Sequence, residues 1–465
     1  MTTLGVSIDD RALALAQDGR VLSVAPAIVR RVGDAGPRGA PALDILRSRP
    51  AEASARHWSE IAAESAATQA SLPIALAELR ERLREACAAD GAAPGPDSAW
   101  IAVSAAFPPR ALSGVLGVAR AVPLPVRGFV DAAVASVAPL GLARSAVVLE
   151  VGLFHVAATA VECGPTVRRR RSIVSRGGGL LDIYQSWLDV VSAAMVLRTR
   201  FDPLHDAAVE QRLFSELPAL AAEAEASGVA TVTLAGPGGE PHAVEIARDQ
   251  LAAAAAPRYR ELERCLHELR RAGAPVAVVV PAALLQLAGL RERFETLADC
   301  ELVVVPDGWA SAVASLLPEP AEGADAPVRL LRRLAALEVA PAGDAPRRER
   351  LAARDGGAVD PTHILHGGRA IALGARAITV GRDGNGAGIN VSVGAAGVSR
   401  RHCTFLRGDD GVVLIDHSRH GTWVNDERVA GRALLHAGDQ VRIGEPGIEL
   451  ALIAVGAESA QASAD

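Results

Sequence analysis

From residue 1 to about 317 the chain alternates two hydrophobic rhythms. Short β-branched or Ala/Val/Leu runs read as buried strands: "LGVSI", "AWIAVS" (99–104), "SAVVLEVG" (145–152), "FHVAATAVECG" (154–164), "PVAVVV" and "CELVVV". "ALALAQDGRVLSVAPAIV" reads as a hairpin turned at Asp18-Gly19, the dipeptide that suits a tight two-residue loop. Between the runs lie helix-like stretches rich in Ala, Leu, Glu and Arg: residues 51–89, "DIYQSWLDVVSAAMVL" and "RDQLAAAAAPRYRELERCLHELRRAG". Strands alternating with helices predict α/β layers. From Pro318 to about 358 the rhythm stops, and Pro, Gly, Ala and charge dominate, which predicts a flexible linker; "VRLLRRLAALEV" within it predicts a short helix. From 359 to 456 short strands recur with "DGNGAG", "GDDG", "SRHG", "NDER" and "HAGD" between them, the pattern of an all-β sandwich. Residues 457–465 read as a disordered tail.

Composition narrows the chemistry. The chain has 465 residues, half of them hydrophobic, with only 3% aromatic, so its core is built from small aliphatics. All 48 basic residues are Arg. A phosphate-binding P-loop, a protein kinase and a pyridoxal enzyme each need a Lys, so these classes are excluded in their usual forms. A net charge of −6 predicts no general affinity for nucleic acid. Cys87, Cys163, Cys265, Cys300 and Cys403 form no C-x-x-C pair, so no metal site is expected, and isolated thiols with no signal-peptide pattern predict a cytoplasmic protein. "AGAPVAVVVPAALLQLAGL" (272–290) carries no charge over 19 residues, but Pro281 divides it into a strand followed by a helix, so no membrane insertion is expected.

The densest chemistry lies in "GVSRRHCTF" (397–405). Gly381-Arg382 closes one strand, Ser399-Arg400-Arg401-His402 opens the next, "DHSRHGTWVN" (416–425) follows another, and "GDQVRIG" comes later. This order resembles the forkhead-associated (FHA) domain, which joins G-R, S-x-x-H, G-T-x-V-N and G-D-x-[IV]-x-[IL]-G patterns. A phosphate monoester carries about 1.5–2 negative charges and three acceptor oxygens, so it is matched by guanidinium forks and hydroxyls on rigid loops. The resemblance implies that Arg382 and Ser399 contact the phosphate and that Arg400 adds a phosphopeptide contact. Arg419 reaches the phosphate or an acidic peptide side chain. His420 stands where the family often has Asn bonding the peptide backbone. Gly381 permits the turn, His402 holds the loops, Gly421 and Thr422 shape the second loop, and Asn425 braces it. The partner implied is a phosphothreonine-containing protein, with a Ser/Thr kinase upstream. Ser399 lies in no G-x-S-x-G elbow, Arg401 reads as solvated and Cys403 as inward-facing, so no catalytic residue is expected here.

The order of segments over 1–317 resembles the actin-like (ribonuclease-H-like) ATPase fold of heat-shock chaperones. "AWIAVSAAFPPRALSGVLGVARAVPLPVRGFVDAAVASVAP", "AVVLEVGLFHVAATAVECG", "SRGGGLLDIYQSWL" and "VVPDGWASAVASLL" carry the likeness. That fold holds ATP with two Gly-rich hairpins, and this chain departs from both. Ser7 replaces the first acid and its Gly-Thr turn is lost; Glu150-Val151-Gly152 keeps an acid without the following glycines; Asp131 stands in place of a Glu. Ser7, Asp131, Glu150 and Gly152 are thus the expected remnants of an altered nucleotide site. No cofactor is expected, ATP with Mg²⁺ being the only one the resemblance admits. "RRRR" (168–171) reads as a solvated strand edge, and His155 as a structural residue. The reading is a multidomain adaptor: a pseudo-ATPase body joined to a phosphothreonine reader, not an enzyme. The alternative is an active chaperone-like or actin-like ATPase regulated through its FHA domain.

Overall fold

A computed structural model describes residues 2–30, 43–61, 66–89, 96–122, 124–143, 145–236, 238–272, 276–295, 297, 300–319, 327–338, 341–350, 360–366, 369–374, 376–382, 391–392, 397–408, 411–424, 427–436, 439–444 and 448–453. The chain divides into two compact units: Met1–Cys265 with Val276–Leu351, and Leu266–Pro275 with Ala352–Asp465.

The first unit is built on two large mixed sheets of the same internal order. In one, Thr3–Ile8, Ala12–Gln17 and Arg20–Pro26 form an antiparallel meander, and Thr3–Ile8 also pairs in parallel with Ser98–Val103, which pairs in parallel with Val126–Asp131. In the other, Ala146–Val151, Val156–Glu162 and Thr166–Ser175 form the meander, and Ala146–Val151 pairs in parallel with Val276–Pro281, which pairs in parallel with Cys300–Val305. The parallel strands Ser98–Val103, Ala146–Val151, Val276–Pro281 and Cys300–Val305 are buried along nearly their whole length, as strands covered on both faces are. Asp18 and Gly19 both take positive φ (48° and 82°), so the expected turn forms where expected. Helices Leu180–Thr199, Ala207–Ser227 and Arg248–Leu269 accompany a separate hairpin, Val229–Ala235 with Pro241–Ala247, whose residues alternate exposed and buried.

The apolar stretch 272–290 is a strand, Val276–Pro281, then a 3₁₀ turn, Ala282–Gln286, in place of the helix expected there; a short helix begins only at Leu290. One described helix, Leu180–Thr199, has the length and apolarity to cross a membrane. Within the fold its Ile183, Trp187, Leu188, Val191 and Met195 are buried.

Among the described residues the linker and its helix are corrected; 320–326, 339–340 and 351–358 lie outside them. Leu330–Leu331 pairs with Val126–Asp131, Arg333–Ala335 with Thr166–Ser175, and Arg347–Arg350 with Cys300–Val305, so these residues extend the first unit's sheets. Each sheet offers an unpaired edge, and the ladder hydrogen bonds gained there outweigh a modest helix propensity. Leu334 is buried by this pairing. The Arg run is solvated as expected, with Arg168, Arg170 and Arg171 exposed and Arg168 and Arg170 paired with Glu162. However, Thr166–Arg168 pairs with Arg333–Ala335 and Arg168–Ser175 with Val156–Glu162, so the strand is not a free edge there.

The second unit is all β. One sheet orders residues 391–392, Ile378–Gly381, Cys403–Gly408, Gly411–Asp416 and Arg432–Leu435. The other orders Arg271–Ala272, Glu427–Val429, Thr422–Val424, Gln440–Ile443, Ile448–Ile453, His363–His366 and Arg369–Ala372. Ile378, Val380, Phe405, Leu414, Val441, Ile443 and Leu450 form its core. Alternation places these residues inward and leaves the strand-connecting loops to carry chemistry.

Candidate functional site

In the second unit two loops meet at Ser399. The strand Ile378–Gly381 delivers Arg382, whose N–H donates to the Ser399 carbonyl at 3.1 Å. A Cβ on Gly381 would lie 2.1 Å from the Arg400 carbonyl oxygen, so only Gly lets the two backbones approach this closely. The loop after Gly411–Asp416 brings Arg419, whose N–H donates to Ser399 Oγ at 3.3 Å. With an acceptor lone pair so engaged, the Ser399 hydroxyl keeps its proton for a ligand. The side chains of Arg382, Arg400, Arg419 and His420 are exposed, and Ser399 is half-buried.

His402 joins these loops from beneath. It is fully buried; its Nδ1 accepts from the Ser399 N–H (3.0 Å) and its Nε2 donates to the Gly421 carbonyl (2.9 Å). The two bonds require the neutral Nε2–H tautomer, since a ring nitrogen facing an N–H must accept. Gly421 takes φ 102°, a conformation few side chains tolerate, and its N–H is capped by Ser418 Oγ at 2.8 Å. Thr422 is buried, and its hydroxyl donates to Asp416 Oδ1 (2.7 Å), which also accepts from the Ser418 N–H (2.9 Å). Asn425 lies outside the described residues. Sequence reasoning gave Asp416 and Ser418 no role although both stand in the DHSRHGTWVN segment; their turn-forming residue types were the signal available. Burial, then the charge of Arg401, lowers His417 from its ordinary value. Cys403 is fully buried, and desolvation pushes its thiol far above the usual range, so it is no nucleophile.

In the first unit a second group of polar residues surrounds a cavity of about 80 Å³ lined by Ser7, Asp9, Ser104, Glu150, Gly152 and His155, among others. Burial, then the charges of Asp131 and Asp9, raises the Glu150 carboxyl to about 7; Ser104 Oγ donates to it at 3.1 Å. Asp131 does not line this cavity. Its Oδ1 caps the helix Ala132–Val137 and its Oδ2 accepts from Arg169 at 2.7 Å. Burial raises Asp131 above the usual carboxylate range although Arg169 opposes the shift. Asp10, passed over in the sequence, pairs with His155 Nδ1 at 3.1 Å and accepts from the Leu153 N–H at 3.0 Å. Burial alone would lower His155, but Asp10, Glu150 and Asp9 together raise it.

The cavity by itself is too small for a nucleotide. Small-molecule pockets run to roughly 300–1,000 Å³, several times this cavity. Where a phosphate would approach Gly152, an added Cβ would meet Asp10 Oδ1 at 2.3 Å and His155 Cε1 at 2.4 Å, so side chains already fill the space. Among the described residues no group of His, Cys, Asp and Glu is arranged to hold a metal ion.

No curated protein matches the chain. The FHA domain family model matches residues 378–444, the segment that contains Gly381, Arg382, Ser399, His402 and Gly421. FHA domains bind phosphothreonine-containing proteins through Arg-bearing loops. The C-terminal β unit of this chain therefore carries an FHA domain, with phosphothreonine-dependent protein binding as its general function.

Proposed function

We propose that the chain is an adaptor whose FHA domain reads a threonine phosphorylated by a Ser/Thr kinase in the cytoplasm, and whose larger unit is a pseudo-ATPase body of actin/chaperone-like descent. The observation that carries the reader is the Ser399 junction, where hydroxyl, Arg382 and Arg419 share one backbone network. In this reading Arg382 and Ser399 take the phosphate, Arg400 and Arg419 the flanking peptide, and His420 the peptide backbone.

The repeated strand order of the two large sheets supports the actin-like assignment of the body. The small cavity at Ser7, Glu150 and Gly152 supports a body that does not turn over ATP. Fold alone implies no activity, so the body is a scaffold in this reading.

A degenerate phosphothreonine peptide library, titrated against the full chain, tests the reader. Binding of phosphorylated but not plain peptides is expected, weakened at least about tenfold in Arg382→Ala and in Ser399→Ala, as loss of a charge-assisted contact implies. Equal binding of both peptide forms refutes it. Calorimetry with ATP and Mg²⁺ tests the body: sub-millimolar binding with turnover would establish the regulated ATPase instead.

A further inference from the structure

A larger cleft of about 500 Å³ opens in the first unit; Asp10 and His155 line it, and His155 also lines the small cavity. Its size falls within the roughly 300–1,000 Å³ range of small-molecule sites. Three arginines from distant parts of the chain line it: Arg56, Arg110 and Arg176. Arg56 precedes the helix His57–Glu60, Arg110 precedes the helix Ala111–Ala121, and Arg176 follows the strand Thr166–Ser175. Phe107, Pro108 and Phe154 supply apolar wall between them.

The charges in this cleft are unbalanced. Arg56 is held by stacking, its guanidinium 3.6 Å from the centroid of the Phe154 ring, which orients the fork without neutralising it. Arg110 and Arg176 are exposed and form no ion pair with any described residue. Asp10 also lines the cleft, but its carboxylate is engaged by His155 and by the N–H groups of Leu153 and Phe154. Asp182 is the remaining acid. Three guanidinium groups thus share one concavity with one acid that His155 and backbone N–H groups engage and one further acid, a local excess of positive charge that favours an anion.

We propose that this cleft binds a small phosphorylated organic molecule, its phosphoryl group taken by the forks of Arg110, Arg176 and Arg56 and its remainder laid against Phe107 and Phe154. Planar guanidinium forks match phosphate oxygens in pairs. The apolar wall accounts for the volume beyond a phosphoryl group. The three arginines line this cleft and not the Glu150 cavity, although His155 borders both, and the site gives the body a ligand that does not depend on ATP turnover.

The test is calorimetry on the full chain with three probes: inorganic pyrophosphate, AMP and glucose 6-phosphate. Pyrophosphate is expected to bind the wild type. The double variant Arg110→Ala/Arg176→Ala is expected to bind it at least about a hundredfold more weakly, about tenfold for each fork removed. Arg198→Ala, an exposed arginine elsewhere on the surface, is expected to bind as wild type does. Tighter binding of AMP identifies a nucleotide-derived ligand, and tighter binding of glucose 6-phosphate a sugar phosphate; either supports the site. No pyrophosphate binding at ~1 mM, or equal binding by wild type and the double variant, overturns it.

Discussion

His402 offers the sharpest test of how the FHA loops are held. Its ring bonds the Ser399 N–H at 3.0 Å and the Gly421 carbonyl at 2.9 Å from a fully buried position. His402→Ala removes both partners and leaves a buried donor and a buried acceptor unmade. Each costs about 1–3 kcal/mol, so the loops lose about 2–6 kcal/mol of local stability. The Ser399 junction feels this directly, because the Arg382 and Arg419 N–H groups also bond to Ser399. Hydrogen exchange with mass spectrometry reads the change locally in the full chain, which matters because a two-unit protein has no single unfolding transition. Peptides spanning 398–406 and 412–424 are expected to exchange about thirtyfold faster or more, since 1.4 kcal/mol is a factor of ten. Phosphothreonine-peptide affinity is expected to fall with them. His402→Asn offers an acceptor for the Ser399 N–H, but its amide N–H₂ sits on a shorter side chain than the Nε2 that meets the Gly421 carbonyl, so it is expected to fall between. Unchanged protection and unchanged affinity in His402→Ala would refute the view that this ring couples the loops.

Two further outcomes follow from close packing and from charge. Gly381→Ala places a Cβ 2.1 Å from the Arg400 carbonyl, a backbone atom, so the Ser399–Arg400 loop must shift; overpacking of this kind costs about 1–3 kcal/mol, and peptide titration is expected to show weakened phosphopeptide binding. Glu150 is raised from an ordinary 4.5 to about 7 by burial, then by Asp131 and Asp9. Its folded value exceeds its unfolded one, so its contribution is fully present below about pH 4.5 and is lost as pH rises through about 7. Glu150→Gln is therefore expected to raise the thermal stability of the first unit above about pH 7, by up to about 3 kcal/mol, and to leave it little changed below about pH 4.5. Parallel melting curves for both proteins across this range would contradict it.

Much of the architecture is legible from the chain alone. Strand and helix types follow from local periodicity, and the hairpin at Asp18-Gly19 from the positive φ that this dipeptide tolerates. The FHA motifs are legible because the fold spaces Gly381, Ser399, His402 and Gly421 on successive loops, and the structure brings those loops together. The hairpin Val229–Ala235 with Pro241–Ala247 also carries an alternation of exposed and buried residues that its sequence spells out.

What the sequence by itself determined is local: many element types, turn chemistry, the absence of Lys, and the motifs that mark the FHA domain. Tertiary structure alone decided which edges were free. Leu330–Leu331, Arg333–Ala335 and Arg347–Arg350 fall in what looks like a linker with a short helix, yet they become strands because two sheets present unpaired edges to them. Tertiary structure alone also paired Asp10 with His155 across 145 positions, closing the space beside Gly152. It gathered Arg56, Arg110 and Arg176 around one cleft as well. No periodicity announces such meetings, because they depend on long-range chain closure and on which groups lose water together, and neither is written in any window of neighbouring residues.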